Sequence, residues 1–261
     1  MSGFKRTDGG AAFDTYYSGL FGSRWPALRA ALMRETQPEA FSVCAGKPYY
    51  LDKASVYAAE SLPALDEGYC LDMCAAPGGK TLVLAARMGR TVRIQANELS
   101  RPRRARLLTV LDEHLPPETR ARIAVTGFDA ATIPRYRREY YDRILLDAPC
   151  SSERHVMADA KYLACWTPAR IKTLALRQWA LLSAAFLLLK PGGFLTYATC
   201  ALSDTENDGV VQKLLKKYGS AAAVRDSLPP VPCEKTRFGR SFLPDTCAGS
   251  GPLYFSLIEK R

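Results

Sequence analysis

The chain has 261 residues, 48% of them hydrophobic, enough for one large domain with a sizeable core or for one domain with a small annex. Its 36 Lys and Arg exceed its 26 Asp and Glu and leave a net charge of +10, which favours a polyanionic partner because neutralised phosphates release counterions. Eight cysteines without paired CxxC units, alongside two histidines, exclude a disulfide scaffold and a structural zinc site; reduced thiols and no metal are expected.

The opening Met1-Ser2-Gly3-Phe4-Lys5-Arg6 has no apolar run and meets Asp8 early, so neither a secretion signal nor a transit peptide is expected. A cytoplasmic location follows by default, or a mitochondrial one if the source is eukaryotic. Residues 1–66 read as a small helical annex and a possible RNA contact. Trp25, Leu28 and Leu32 share one helical face behind Pro26, and Ser55 is expected to cap a second short helix through Leu62.

From Tyr69 strands and helices alternate. Strands are expected at 69–73, 92–98, 121–126, 141–147 and 193–199, with helices at 78–88, 101–113, 167–189 and 204–217. That alternation predicts an α/β fold over residues 67–261, a doubly wound, mostly parallel, Rossmann-like sheet covered on both faces. Thr167-Pro168 opens the long helix and Lys190-Pro191-Gly192-Gly193 closes it, while Ser203-Asp204-Thr205-Glu206 reads as a capping box. The longest apolar run, Leu174 to Leu189, is interrupted by Arg177 and Gln178; it reads as a buried helix, and no membrane span is expected. Leu253 to Ile258 reads as a final strand.

The chemistry concentrates at strand ends, where open parallel sheets bind ligands. Leu71-Asp72-Met73 runs into the turn Cys74-Ala75-Ala76-Pro77-Gly78-Gly79-Lys80-Thr81, whose glycines let the backbone approach a ligand. Gly79-Lys80-Thr81 invites a P-loop reading, but Cys74 stands where that motif needs glycine. Glu98 ends the next strand, about 20 residues on, at the spacing that suits a ribose diol. Asp129 follows the third strand and is expected to accept from an adenine amino group, and Asp147 ends the fourth. Three acids at consecutive strand ends point to an adenosyl ligand. Cys150 closes Asp147-Ala148-Pro149-Cys150 and Cys200 closes Thr196-Tyr197-Ala198-Thr199-Cys200, which would place two thiols beside that ligand and suggests nucleophilic cysteine chemistry.

In this order, Asp72-x-Cys74-Ala75-Ala76-Pro77-Gly78-Gly79-Lys80-Thr81, Asp147-Ala148-Pro149-Cys150 and Thr199-Cys200 resemble the Sun-domain (Fmu/Sun) family of RNA cytosine-5 methyltransferases. The likeness runs from about Asp52 to the C-terminus, and Gly251-Pro252-Leu253-Tyr254-Phe255 resembles the family's closing strand. Phe13-Asp14 through Trp25-Pro26-Ala27-Leu28, with Cys150-Ser151-Ser152-Glu153-Arg154-His155, is similar to the mitochondrial ribosomal-RNA branch.

The resemblance implies an antiparallel last strand and S-adenosylmethionine as cofactor. Cys74, Ala75, Ala76, Pro77, Gly78, Gly79 and Lys80 would wrap its methionine end, Glu98 the ribose, Asp129 the adenine and Asp147 the reacting centre, with Arg103 as a further contact. It implies Cys200 as the nucleophile on cytosine carbon 6, favoured as thiolate by Lys80 and by a following capped helix. Asp147 would bond the base near N3 and N4, and Cys150 would assist product release. A DNA cytosine methyltransferase would instead attack with the Pro-Cys cysteine, and this chain adds Thr-Cys. The expected partner is RNA, ribosomal RNA foremost, with methylation of transfer RNA or another substrate, or a non-catalytic RNA-binding assembly role, as alternatives. A monomer is expected, with a protein partner conceivable for targeting. Arg101, Arg103, Arg104, Arg106, Arg135, Arg137, Arg138, Arg237 and Arg240 are candidate phosphate contacts, fewer than half of them expected to serve.

Overall fold

Val-, Ile- and Leu-rich runs buried on both faces form the middle of the sheet in the computed structural model, which describes residues 9–44 and 46–261. The first eight residues of the expected annex lie outside that range. The chain begins with α1 (Gly9–Phe21) and α2 (Trp25–Met33), then a ribbon of β1 (Glu39–Phe41) and β2 (Tyr49–Leu51), then α3 (Lys53–Glu60). Phe13, Tyr17, Trp25 and Leu28 pack in one cluster with Trp166, Ile171 and Leu202, so these helices share a core with the residues around the second thiol. Asp52, not Ser55, caps α3: its carboxylate accepts from Ala54 N at 2.8 Å, and Ser55 is left to face the site.

The alternating part comprises β3 (Tyr69–Asp72), α4 (Gly79–Arg87), β4 (Arg93–Asn97), α5 (Arg101–His114), α6 (Pro117–Arg120), β5 (Ile123–Thr126) and β6 (Tyr141–Asp147). Two short helices, α7 (Glu153–Ala158) and α8 (Ala160–Ala164), precede α9 (Pro168–Leu188), β7 (Leu189–Thr199) and α10 (Asp208–Tyr218). The chain ends in β8 (Ala222–Arg225), β9 (Glu234–Lys235), β10 (Arg240–Phe242) and β11 (Leu253–Lys260). The strand order is β5-β4-β3-β6-β7-β11-β10-β9, with β8 also on β11. The first five strands run parallel and β11 runs antiparallel to β7. Sequence order reverses between β3 and β6, and an α/β sheet opens its ligand crevice at such a switch point.

Three further expectations need correction. The residues read as a capping box do not open a helix: α10 begins at Asp208 after Asn207, because Glu206 turns inward and Ser203 Oγ is engaged by Thr205 N and by the Tyr16 hydroxyl. The strand expected from 193 starts at Leu189, where Tyr141 of β6 already pairs with it, so the Lys190-Pro191-Gly192-Gly193 corner lies inside β7. Finally, α9 does reach the length and apolarity of a membrane span, yet half of that stretch is buried in the protein. Its Leu181, Leu182 and Phe186 pack in the sheet's core, and Gln178 is fully buried with hydrogen-bond partners, as suits a core helix.

Candidate active site

The turn after β3 is shaped by backbone as much as by side chains. Gly78 has φ +124°, which L side chains rarely adopt, and a Cβ on Gly79 would stand 2.8 Å from the Tyr49 ring. Asp72, wholly buried, accepts from Thr81 Oγ1 at 2.6 Å and so ties the end of β3 to the first turn of α4. Burial lifts its carboxyl to about 7, and its other oxygen has no partner. Ala75 N donates to Asn97 O at 2.9 Å, and Arg103 Nη2 donates to Ala76 O at 2.8 Å, holding the turn against β4 and α5.

A cavity of about 940 Å³ opens at the carboxyl ends of the strands. Cys74, Glu98, Arg103, Asp147, Cys150 and Cys200 line it together. Ala75, Ala76, Pro77, Gly79 and Lys80 line a smaller pocket of about 100 Å³, which shares Cys74 and Asp147 with the first. Gly78 faces Val110 and Leu107 of α5 instead and acts through the shape of the turn. Glu98 is nearly buried, accepts from Ser100 N at 2.8 Å and faces Arg103 Nη1 at 3.5 Å. The Asp129 carboxylate turns to Arg177 Nη2, 2.6 Å away, and to Ala131 N, while its neighbours Phe128 and Ala130 line the cavity. The Arg177 guanidinium holds that carboxyl below the usual range.

Sequence reasoning missed the cavity's flat apolar wall: Phe128 and Leu99 are 59% and 54% exposed there. The available signal was an apolar residue beside each strand-end acid. It also missed Ser152 and Arg177, and it left open the role of His155, which lines the cavity. Among the basic candidates, Arg103 and Arg104 are engaged with backbone carbonyls and Arg240 pairs with Asp226, whereas Arg101, Arg106 and Arg135 stand exposed.

The two thiols meet. Cys150 Sγ lies 2.7 Å from Cys200 Sγ, and Cys200 N donates to Cys150 Sγ at 3.3 Å; no disulfide joins any of the eight cysteines. Ser152 Oγ stands 3.1 Å from Cys200 Sγ, its backbone in the left-handed region at φ 54°. The hydrogen bond to Cys200, reinforced by burial, pushes the Cys150 thiol well above its ordinary range. No helix N-terminus stands at Cys200, because α10 starts only at Asp208; the expected helix contribution to its thiolate is absent. The cation is Lys80, whose Nζ donates to Asp147 Oδ2 at 2.8 Å and Ser55 Oγ at 3.2 Å. Burial opposes its charge, but Asp147 together with Cys200 and Asp72 outweighs burial and holds the ammonium above the ordinary lysine range. Burial, with Asp147 next, pushes the Cys74 thiol up, which suits a packing role under the turn.

Comparison with known proteins shows the family. The family model for the 16S rRNA methyltransferase RsmB/F matches residues 59–255. The chain is 40% identical over 184 residues to ribosomal RNA small subunit methyltransferase F of Aeromonas salmonicida, covering 69% of this chain and 38% of that one. It is 32% identical over 224 residues to the 5-cytosine rRNA methyltransferase NSUN4 of Bos taurus, covering 79% and 58%. The crystal structure of NSun6 from Pyrococcus horikoshii with SFG superimposes with a TM-score of 0.71 at 25% identity, over 82% of this chain and 53% of that one. A methyltransferase homolog from Pyrococcus horikoshii, 22% identical, shares the fold over 95% of this chain and 94% of its own, with a TM-score of 0.75. The chain thus spans 38% of that bacterial relative's length and 58% of the bovine one's.

Proposed function

The chain belongs to the 16S rRNA methyltransferase RsmB/F family, and on that footing we propose that it is an enzyme that methylates carbon 5 of a cytosine in RNA, with ribosomal RNA as its substrate and S-adenosylmethionine as its methyl donor. The observation that carries the reading is the contact between the Cys150 and Cys200 sulfurs, 2.7 Å apart, on the wall of a strand-end cavity shared with Asp147.

The residues present fit the donor. Glu98 offers a nearly buried carboxylate for a ribose diol, and Leu99 and Phe128 offer apolar surface for a purine. The narrow turn from Cys74 to Lys80 leaves room for a compact methionine end. When bound, this cofactor supplies an electrophilic methyl group. Asp129 reaches an adenine only in competition with Arg177.

Carbon 5 of cytosine is a poor nucleophile until a thiolate adds to carbon 6 and makes carbon 5 enamine-like. Cys200 is that thiolate, with the Cys150 thiol donating to it and Lys80 supplying positive charge. Asp147, held by Lys80, accepts from the N4 amino group of the base, and from N3 once that nitrogen has taken a proton from solvent as the thiolate adds. Once Cys200 is bound to carbon 6, the hydrogen bond that kept the Cys150 proton in place is lost. Cys150 can then lose its proton to solvent and, as thiolate, take the carbon 5 proton, whose bonding electrons re-form the carbon 5–carbon 6 double bond as Cys200 leaves as thiolate. The target base must be unpaired or swung out of its stack to reach this wall. The chain acts as a monomer, with RNA choice left to its exposed arginines, to the folded RNA or to a protein partner. The reaction belongs in the cytoplasm, or in the mitochondrion of a eukaryotic source. Bisulfite sequencing of RNA from cells with and without the chain tests the reading: loss of one protected cytosine in ribosomal RNA is expected, and an unchanged map would overturn it.

A further inference from the structure

Beneath the thiols, two buried carboxylates tie the Cys150 and Cys200 loops together in a crossed pattern. Glu153, on the Cys150 loop, accepts from Leu202 N of the other loop at 3.1 Å. Glu206, on the Cys200 loop, accepts from Ser151 N at 2.9 Å and from Gln178 Nε2 of α9 at 2.8 Å. Glu153, Glu206 and Ser151 are all 0% exposed. Ser151 Oγ hydrogen-bonds Glu153 Oε1 and stands 2.5 Å from Glu206 Oε2, while Tyr17 of α1 donates its hydroxyl to the same Glu153 oxygen. Neither carboxylate bonds a Lys or Arg among the described residues.

The hydrogens do not suffice for two carboxylates. Ser151 has one hydroxyl proton and touches an oxygen of each acid, so one of the two contacts needs a proton carried by an acid. Burying a second anion without a cation is costlier than keeping that proton. Resting on the methyl-transfer reading above, we propose that Glu153 and Glu206 share one proton and act as positioning residues, a clamp that fixes how closely the Cys150 and Cys200 sulfurs approach.

The chemistry around the clamp agrees. Burial, reinforced by the Glu153 charge, raises Glu206 to about 7, and burial raises Glu153 as well. The other titratable groups facing the pair are Tyr17 of α1, Tyr197 of β7 and the Cys150 thiol itself. Below about pH 7 the shared proton satisfies both contacts of Ser151. Above it the two anions repel, Ser151 can serve only one, and the crossed ties between the loops weaken. The clamp therefore imposes a fall in turnover on the alkaline side, opposite in sign to the gain from thiol ionisation. Glu206→Gln supplies a permanent amide donor toward Ser151 and keeps an acceptor for Ser151 N and Gln178, so it mimics the protonated clamp.

The test compares wild type, Glu206→Gln and Glu206→Ala from pH 6 to 9, reading methyl transfer to RNA and, on the same preparations, the rate of Cys200 alkylation by iodoacetamide from peptide masses. Glu206→Ala is expected to lower kcat about tenfold, with KM for S-adenosylmethionine unchanged, as the loss of a charge-assisted hydrogen bond predicts. Glu206→Gln is expected to recover most of that loss and to lack the alkaline fall. The ratio of wild-type to Glu206→Gln alkylation rates is expected to be constant below pH 7 and to diverge above it. A Glu206→Gln profile with the wild-type alkaline fall, or an alkylation ratio flat across the range, would overturn the shared proton. Wild-type kcat in Glu206→Ala would overturn the clamp. If wild type transfers no methyl group, the methyl-transfer reading fails, and the alkylation ratio decides the clamp on its own.

Discussion

Lys80 Nζ and Asp147 Oδ2 stand 2.8 Å apart and join the start of α4 to the end of β6 across the switch point of the sheet. The pair is more than a structural tie. The lysine side chain is 14% exposed and the aspartate 30%, so the acid is the one left open to the cavity. Lys80 fixes which way that open carboxylate points and faces Cys200 with the same charge.

Lys80→Met should therefore damage chemistry more than binding. Asp147 would lose its partner and Cys200 its cation, and removing one preorganised electrostatic contact costs kcat about a hundred- to a thousandfold. Single-turnover methyl transfer measures this, with S-adenosylmethionine affinity by calorimetry as the control. Equal losses in both quantities would place Lys80 in cofactor binding instead.

The cysteines should separate by their covalent products. Cys200→Ala is expected to abolish turnover and form no adduct. Cys150→Ala is expected to attack normally, stall at release and trap RNA on the protein in a denaturing gel. An adduct with Cys200→Ala and none with Cys150→Ala would exchange the two roles.

The motif residues were legible in sequence because each sits where local chemistry leaves few choices. A turn needing φ +124° at Gly78 and a strand that stops at an acid both leave marks in one short stretch. The five parallel strands were legible for the same reason, their apolar runs being broken by turn residues. Glu206 was not. Ser203-Asp204-Thr205-Glu206 has the spacing of a helix cap, and only tertiary contact with Ser151, 55 positions earlier, turns the acid inward. Asp129 shows the same limit: its place after β5 was readable, but its engagement by Arg177 from α9 was not.

That engagement yields a prediction for the cofactor. Glu98→Ala should raise the Kd for S-adenosylmethionine about tenfold or more, the worth of a buried charge-assisted hydrogen bond. Asp129→Ala should weaken binding less, because its carboxylate already serves Arg177. Phe128→Ala should resemble Glu98→Ala, since 59% of that residue's surface is exposed and the cavity is where it lies. Calorimetry on the three variants checks the order, and a larger loss at Asp129 would restore it as the main adenine contact.

Asp72 makes stability depend on pH in a direction opposite to most carboxylates. Its carboxyl is fully buried, with one oxygen bonded to Thr81 and the other without a partner, and burial raises it from 3.8 to about 7. The folded chain therefore binds a proton that the unfolded chain releases between those values. This contribution is complete below pH 3.8 and is lost as pH rises to about 7. A shift of roughly three units corresponds to about 4 kcal/mol, reduced in practice by relaxation around the charge. Asp72→Asn keeps an acceptor for Thr81 and removes the charge, so it should be more stable than wild type at pH 8. That advantage should shrink towards pH 5, where wild-type Asp72 holds its proton. Urea midpoints at the two pH values measure the difference. The same gap at both would mean that Asp72 is ionised throughout and that Lys80, rather than a proton, compensates it.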